Sequence, residues 1–193
     1  MAGEVLTETA LDALPSERTD PDLVLRQRVA QTIDAHADAV FRTLRRLGVP
    51  ASDVDDAVQQ VFVTLARRIA EVRPGAERAF LLGTALRVAA DFRRHRRRRR
   101  DEPAPLPVLD PPGDGAESPE RLLDRKQGLA LLDALLARIP DEQRAVFVLY
   151  EIEGLTTVEV AELLGIPQGT VSSRLRRART AFEALCAERE RSR

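Results

Sequence analysis

The stretch from Asp101 to Glu120, "DEPAPLPVLDPPGDGAESPE", limits every arrangement open to this chain. Six prolines and two glycines within it leave no helical apolar period, and proline can neither continue a helix nor donate within a central strand. It therefore reads as a linker. It sets apart a unit at residues 22–100 from a second at residues 119–189, with 101–118 between them and an acidic tail, read as disordered, at 1–21. A chain of 193 residues is long enough for two small cores.

Those cores must come from Leu, Val and Ala. Hydrophobic residues make up 44% of the chain, but aromatics only 4%, and Trp is absent. The mixture favours helix over sheet. The expected fold class is all-α: two small helical domains on a flexible Pro-rich linker, the C-terminal one a helix-turn-helix. The single cysteine, Cys186, excludes an internal disulfide and suits a reducing compartment. No apolar run approaches the ~18 residues that span a bilayer, and the N-terminus lacks the basic start of a signal peptide, so a cytoplasmic protein without membrane insertion is expected.

In the first unit, Asp20-Pro21 marks a helix start. Val29, Ile33, Ala37, Val40, Leu44 and Leu47 continue it until Gly48-Val49-Pro50. Ser52, with Asp55 three residues on, is expected to cap a second helix burying Val58, Phe62, Leu65 and Ile69. A third runs from about Glu77 with Leu81, Ala85, Val88 and Phe92 inward. In the second unit, Ser118-Pro119 opens a helix carrying Leu122, Leu129, Leu132 and Leu136, which Pro140 breaks. Another follows from Asp141 to about Glu153, with Val146, Leu149 and Tyr150 inward.

The richest pattern is "TTVEVAELLGIPQGTVSSRLRRARTAF". Thr156 and Glu159 form a capping box that opens a short helix with Val160, Leu163 and Leu164 inward. Gly165 permits the left-handed exit, and a second helix starts near Gln168 with Val171, Leu175, Ala178 and Phe182 buried. Two helices joined by about four residues make a helix-turn-helix. The outer face of the second bears Gln168, Thr170, Ser172, Ser173, Arg174, Arg176 and Arg177. Arginine can bridge guanine acceptors and Ser or Gln can read base edges in a major groove; the plain alternative is a solvated bundle helix.

Charge is segregated although the net charge is only -1. Residues 87–100 hold eight arginines against Asp91, including the block "RRHRRRRR" from Arg93 to Arg100. Such a field suits a polyanion, and Arg87, Arg93, Arg94 and Arg96 are the candidates nearest the helical body. Arg97 to Arg100 fit a non-specific basic tail equally well. Phe41, Phe62, Phe80 and Phe92 lie on apolar stripes and read as core rather than as stacking platforms. His36 and His95 lack metal-ligand spacing, and no phosphate loop, nucleophile elbow or paired carboxylates are found, so neither cofactor, metal nor enzymatic activity is expected.

From Leu135 to Arg179 the sequence resembles the promoter-reading C-terminal domain of extracytoplasmic-function sigma factors of bacterial RNA polymerase. Pro140, Arg144, Glu153-Gly154, Glu159, Ala161, Gly165, Gly169-Thr170-Val171 and Ser173-Arg174-Leu175 carry the match. "DVDDAVQQVFVTL" is similar to the family's polymerase-docking segment, with Gln60 where Glu is usual. "FLLGTALRVAADFRR" is similar to its minus-ten helix, with departures at Phe80, Thr84 and Arg87.

The resemblance implies an alternative sigma factor. Its second unit would read the minus-thirty-five element, while Arg87, Arg93, Arg94 and Arg96 serve the minus-ten region, where unpaired bases can enter a pocket. Asp56, Gln59 and Gln60 would dock on the polymerase; taken alone, acids there are ordinary first-turn residues favoured by the helix dipole. Core RNA polymerase and promoter DNA are the implied partners, with an anti-sigma factor as a further candidate. The competing function is a free-standing helix-turn-helix regulator that binds DNA as a dimer, for which the first unit would be superfluous.

Overall fold

The protein, seen here as a computed structural model, is described over residues 20–98 and 119–191. Helix α1, Pro21–Arg46, starts as proline at the first helical position allows. The Asp20 carboxylate accepts from the Asp22 amide at 3.1 Å, and Arg45 and Arg46 complement the dipole at the other end. Gly48, at φ +91°, closes the helix: the Val49 amide reaches back to the Leu44 carbonyl at 3.0 Å.

Helix α2, Val54–Arg68, departs from expectation in two ways. Its cap position is Asp53, without a side-chain cap bond, because the Ser52 hydroxyl donates to the Asp53 carboxylate instead. Its fully buried stripe is Val54, Ala57, Val61 and Leu65 rather than Val58 and Phe62, which are half-buried. The helix lies between α1 and a third helix, so apolar side chains on two adjacent stripes find cover. A 3₁₀ turn, Ile69–Glu71, follows. Arg28 from α1 fixes the chain beyond it, donating to the Ile69 and Val72 carbonyls at 3.2 and 2.7 Å and to Glu77 at 2.8 Å. Helix α3, Glu77–Arg98, then buries Leu81, Leu82, Ala85, Leu86, Val88 and Ala89 against α1 and α2. Phe41, Phe62, Phe80 and Phe92 pack against this core as expected.

In the second unit, α4 spans Pro119–Ala137 and α5 spans Asp141–Phe147. The π turn Val148–Ile152 extends α5, so the expected single helix to Glu153 is there with its last turn widened. Helices α6, Thr157–Leu164, and α7, Gln168–Arg191, complete the unit; α7 packs on α5 and α6. No strand occurs among the described residues, so the fold is all-α. Ser118 and residues 101–118 fall outside them.

The two units also touch one another. Helix α1 meets α4, α3 meets α6, and one buried apolar cluster continues from Leu44 and Ala89 into Leu136 and Val160. The sequence carried no sign of this, because an apolar side chain on a helical stripe does not say which unit will cover it.

Candidate nucleic-acid interface

The α6–α7 pair is built as its local signals require. The Thr156 hydroxyl accepts from the Glu159 amide at 3.3 Å, and the Glu159 carboxylate accepts from the Thr156 amide at 2.8 Å. That backbone bond, then the Thr156 hydroxyl, holds the Glu159 carboxyl below the usual range. Gly165 takes φ +64°, and the Ile166 amide returns to the Ala161 carbonyl at 3.1 Å, turning the chain sharply into α7. Val160, Val171, Leu175 and Ala178 lock the two helices together.

This orientation leaves Gln168, Ser172, Arg176 and Arg177 exposed on α7, the first three along one stripe and Arg177 about a quarter-turn beyond it. Thr170, Ser173 and Arg174 are half-buried. The Ser173 hydroxyl donates to the Thr170 carbonyl at 3.0 Å, and Arg174 is ion-paired with Glu142 of α5. Farther along, Arg179 donates to Glu151 at 2.5 Å and stacks over Tyr150, which raises its pKa through the carboxylate it serves. The seven predicted residues therefore share one helix but neither one face nor one state.

The α3 arginines divide similarly. Arg87 is exposed and donates to the Thr84 hydroxyl at 3.4 Å. Arg94 is exposed and paired with Asp91 one turn back. Arg93 is half-buried: it donates to the Leu47 carbonyl at 2.6 Å and lies 3.3 Å from Asp141 of α5. Arg96 is on α3, but its side chain lies outside the described set, as do those of Arg97 and Arg98 and all of Arg99 and Arg100. Asp56, Gln59 and Gln60 are exposed on α2. They line a groove of about 460 Å³ between α2 and α3, with Arg87 and Asp91 on its far wall. The proposed docking residues and the first minus-ten arginine thus share one surface.

Two residues counted before only as pattern matches turn out to organise the contact between units. Arg144, 5% exposed, lies under Gly48, where an added Cβ would come within 2.8 Å of its guanidinium; burial lowers its pKa and Asp141 opposes that. Glu153 accepts from the Thr43 hydroxyl at 2.7 Å and faces Arg78 at 3.2 Å. The available signal was an arginine at the edge of the apolar run "AVFVLY" and a glutamate before a glycine, neither of which names a partner across 110 positions. His36 is half-buried and His95 exposed, and no metal-binding cluster occurs among the described residues. Nor, among them, is any helix long and apolar enough to cross a membrane.

Comparison with known families matches Sigma-70 region 2 to residues 32–99 and Sigma-70, region 4, to residues 129–182. The RNA polymerase sigma factor NccH of Alcaligenes xylosoxydans xylosoxydans is 32% identical over 185 residues, covering 86% of this chain and 96% of NccH. The ECF RNA polymerase sigma factor SigM of Mycobacterium tuberculosis is 30% identical over 175 residues, covering 88% of this chain and 85% of SigM. The chain belongs to the extracytoplasmic-function sigma factors. The ECF RNA polymerase sigma factor SigE of Mycolicibacterium smegmatis is 33% identical over 163 residues, 82% of this chain, which spans 61% of SigE. The structure of CnrH in complex with the cytosolic domain of CnrY superposes with a TM-score of 0.61 at 26% identity, covering 88% of this chain and 99% of that one. This sigma factor is thus an alternative sigma factor that directs transcription initiation by core RNA polymerase at promoter DNA, and the dimeric regulator is not favoured.

Proposed function

We propose that this sigma factor divides promoter reading between α7 and α3 and docks on the polymerase through α2. The observation that carries the reading is the exposed face of Gln168, Ser172, Arg176 and Arg177, held outward by a completed capping box and a left-handed Gly165 turn. Such a helix can enter a major groove with its leading turns over base edges and its own N-terminus near phosphate. Thr170, Ser173 and Arg174 form the rim of that face, Arg174 after exchanging Glu142 for a phosphate or a guanine edge.

On α3, Arg87 and Arg94 serve the minus-ten region as backbone contacts, with Arg93 and Arg96 continuing the row toward the junction with the duplex. Asp56, Gln59 and Gln60 present an acidic and amide face to the polymerase. Residues 22–100 and 119–189 act as two reading units, joined by 101–118 and preceded by the tail at 1–21. The protein contributes no active site, works in the cytoplasm, and is held in check by an anti-sigma factor, as the complex of CnrH with CnrY supports.

The test is transcription by core polymerase from promoters selected in vitro. The purified protein should co-elute with core enzyme and support initiation from a defined sequence. Failure of both, together with tight binding to palindromic DNA by the protein alone, would hand the case to the free-standing regulator.

A further inference from the structure

Specificity is a difference between affinities, and an arginine alone supplies little of it: a guanidinium meets the phosphates of any sequence as readily as the O6 and N7 acceptors of a guanine. Its neighbours decide between them. On α7 those neighbours follow a pattern. Arg176 and Arg177 carry no ion pair among the described residues. Arg174 and Arg179, on the two flanks of the buried stripe of Val171, Leu175 and Ala178, are each paired with a carboxylate of the α5 segment, Glu142 and Glu151.

The two pairs differ in what they do for the fold. Arg179 is held twice, by Glu151 at 2.5 Å and by the Tyr150 ring, whose centroid lies 5.5 Å from its guanidinium. Arg174 has a side chain 24% exposed, but that of its partner Glu142 is 73% exposed. An ion pair whose acid is so open to water adds little to stability. Glu142 stands in the first turn of α5, and Arg177, one turn beyond Arg174 on α7, lines the same cleft as the pair. The carboxylate thus borders the arginines that α7 offers to DNA. Both members of the pair belong to the second unit, so it goes with α7 onto the promoter.

We infer that Glu142 is a specificity-determining residue for the minus-thirty-five element: it steers Arg174 away from phosphate and onto a guanine edge. The inference rests on the assignment of α7 to that element and deepens it. A phosphate that takes Arg174 must come up beside the Glu142 carboxylate, and the two anions repel. A guanine edge presents neutral acceptors, which the guanidinium fork meets bidentately without bringing a second anion to Glu142. The acid therefore weakens binding to arbitrary DNA more than binding to the cognate sequence. It acts through Arg174 as a positioning residue.

The test compares holoenzymes, made from core polymerase and the full chain, on a promoter selected in vitro and on the same duplex with its minus-thirty-five element scrambled. Glu142→Gln keeps the shape of the side chain and removes its charge. Affinity for the scrambled duplex should rise by about fivefold, and its dependence on salt should steepen by ~0.9 in log–log slope for the phosphate contact Arg174 gains. Affinity for the selected promoter should change by less than about twofold, so that the ratio of the two falls. Glu142→Asp should restore the ratio. In an Arg174→Ala chain, Glu142→Gln should leave the ratio within about twofold.

Equal tightening on both duplexes would overturn the inference, because an acid that merely repels DNA treats all sequences alike. Persistence of the full effect in the Arg174→Ala chain would overturn it as well. Replacing the base pairs of the element one at a time should trace the discrimination lost with Arg174→Ala to a G·C pair; an A·T pair would overturn the choice of guanine. A holoenzyme of the unmodified chain that prefers no sequence at all would instead overturn the assignment of α7, and this inference with it.

Discussion

Helices α3 and α7 carry similar arginine clusters, and their neighbours give those clusters different meanings. On α7, Arg176 and Arg177 are exposed with no ion pair among the described residues, while Arg174 and Arg179 are tied to acids of the α5 segment. On α3, Arg93 is a structural part: its guanidinium caps the carbonyl that ends α1 and reaches across to α5. A run of like residues in a sequence is a run of like charges only. Which of them can meet a phosphate depends on the carboxylates and carbonyls that folding brings beside them.

The sharpest way to break this contrast is Arg93→Ala. A charged donor lost from a half-buried carbonyl costs ~2 kcal/mol, so the thermal midpoint should fall clearly. An unchanged midpoint would leave Arg93 with its DNA contact as its sole role. Arg176→Ala and Arg177→Ala should behave in the reverse sense. Stability should hold within ~0.5 kcal/mol, while affinity of the holoenzyme for its cognate promoter drops by ~1 to 3 kcal/mol for a bidentate base contact. A loss equal on all sequences would mark a phosphate contact instead.

Thr156→Ala should cost ~1 kcal/mol through the cap of α6, measured by chemical unfolding, and should loosen the platform that presents α7. The smallest effect is the acid titration of that cap. Because the Glu159 carboxyl is held below its ordinary range, its contribution is present above the unfolded value and is lost as pH falls through the lower folded one. Protection of the α6 amides, taken relative to the intrinsic exchange rate at each pH, should therefore fall at acid pH, and Glu159→Gln should flatten that fall. Identical pH profiles for the two proteins would show the cap to be idle.

Legibility followed range. Gly165, the Thr156–Glu159 box and the Pro21 start act within a turn of themselves, and each was readable. Ser52 was misread because the adjacent Asp53 captures its hydroxyl, a competition between neighbours that spacing rules do not weigh. The stripe of α2 was displaced because α1 and α3 flank the helix and bury two faces. Of the candidate site, the polar face of α7 was visible as periodicity, but the pairing of Arg174 with Glu142 and the burial of Arg93 were not. Those depend on contacts made across 32 and 46 positions, set by packing that no local pattern encodes.

The widened turn at Val148–Ile152 has a consequence for the evolution of this chain. There the Glu153 amide reaches back five residues to the Val148 carbonyl at 2.9 Å, so the turn holds one residue more than an α turn would. Deleting a single residue from it would restore regular winding and leave the helices downstream aimed much as they are, because the wide turn takes up its extra residue within one revolution. The chain can thus be one residue longer here while Glu153 still meets Thr43 and the DNA-facing pair of helices keeps its aim.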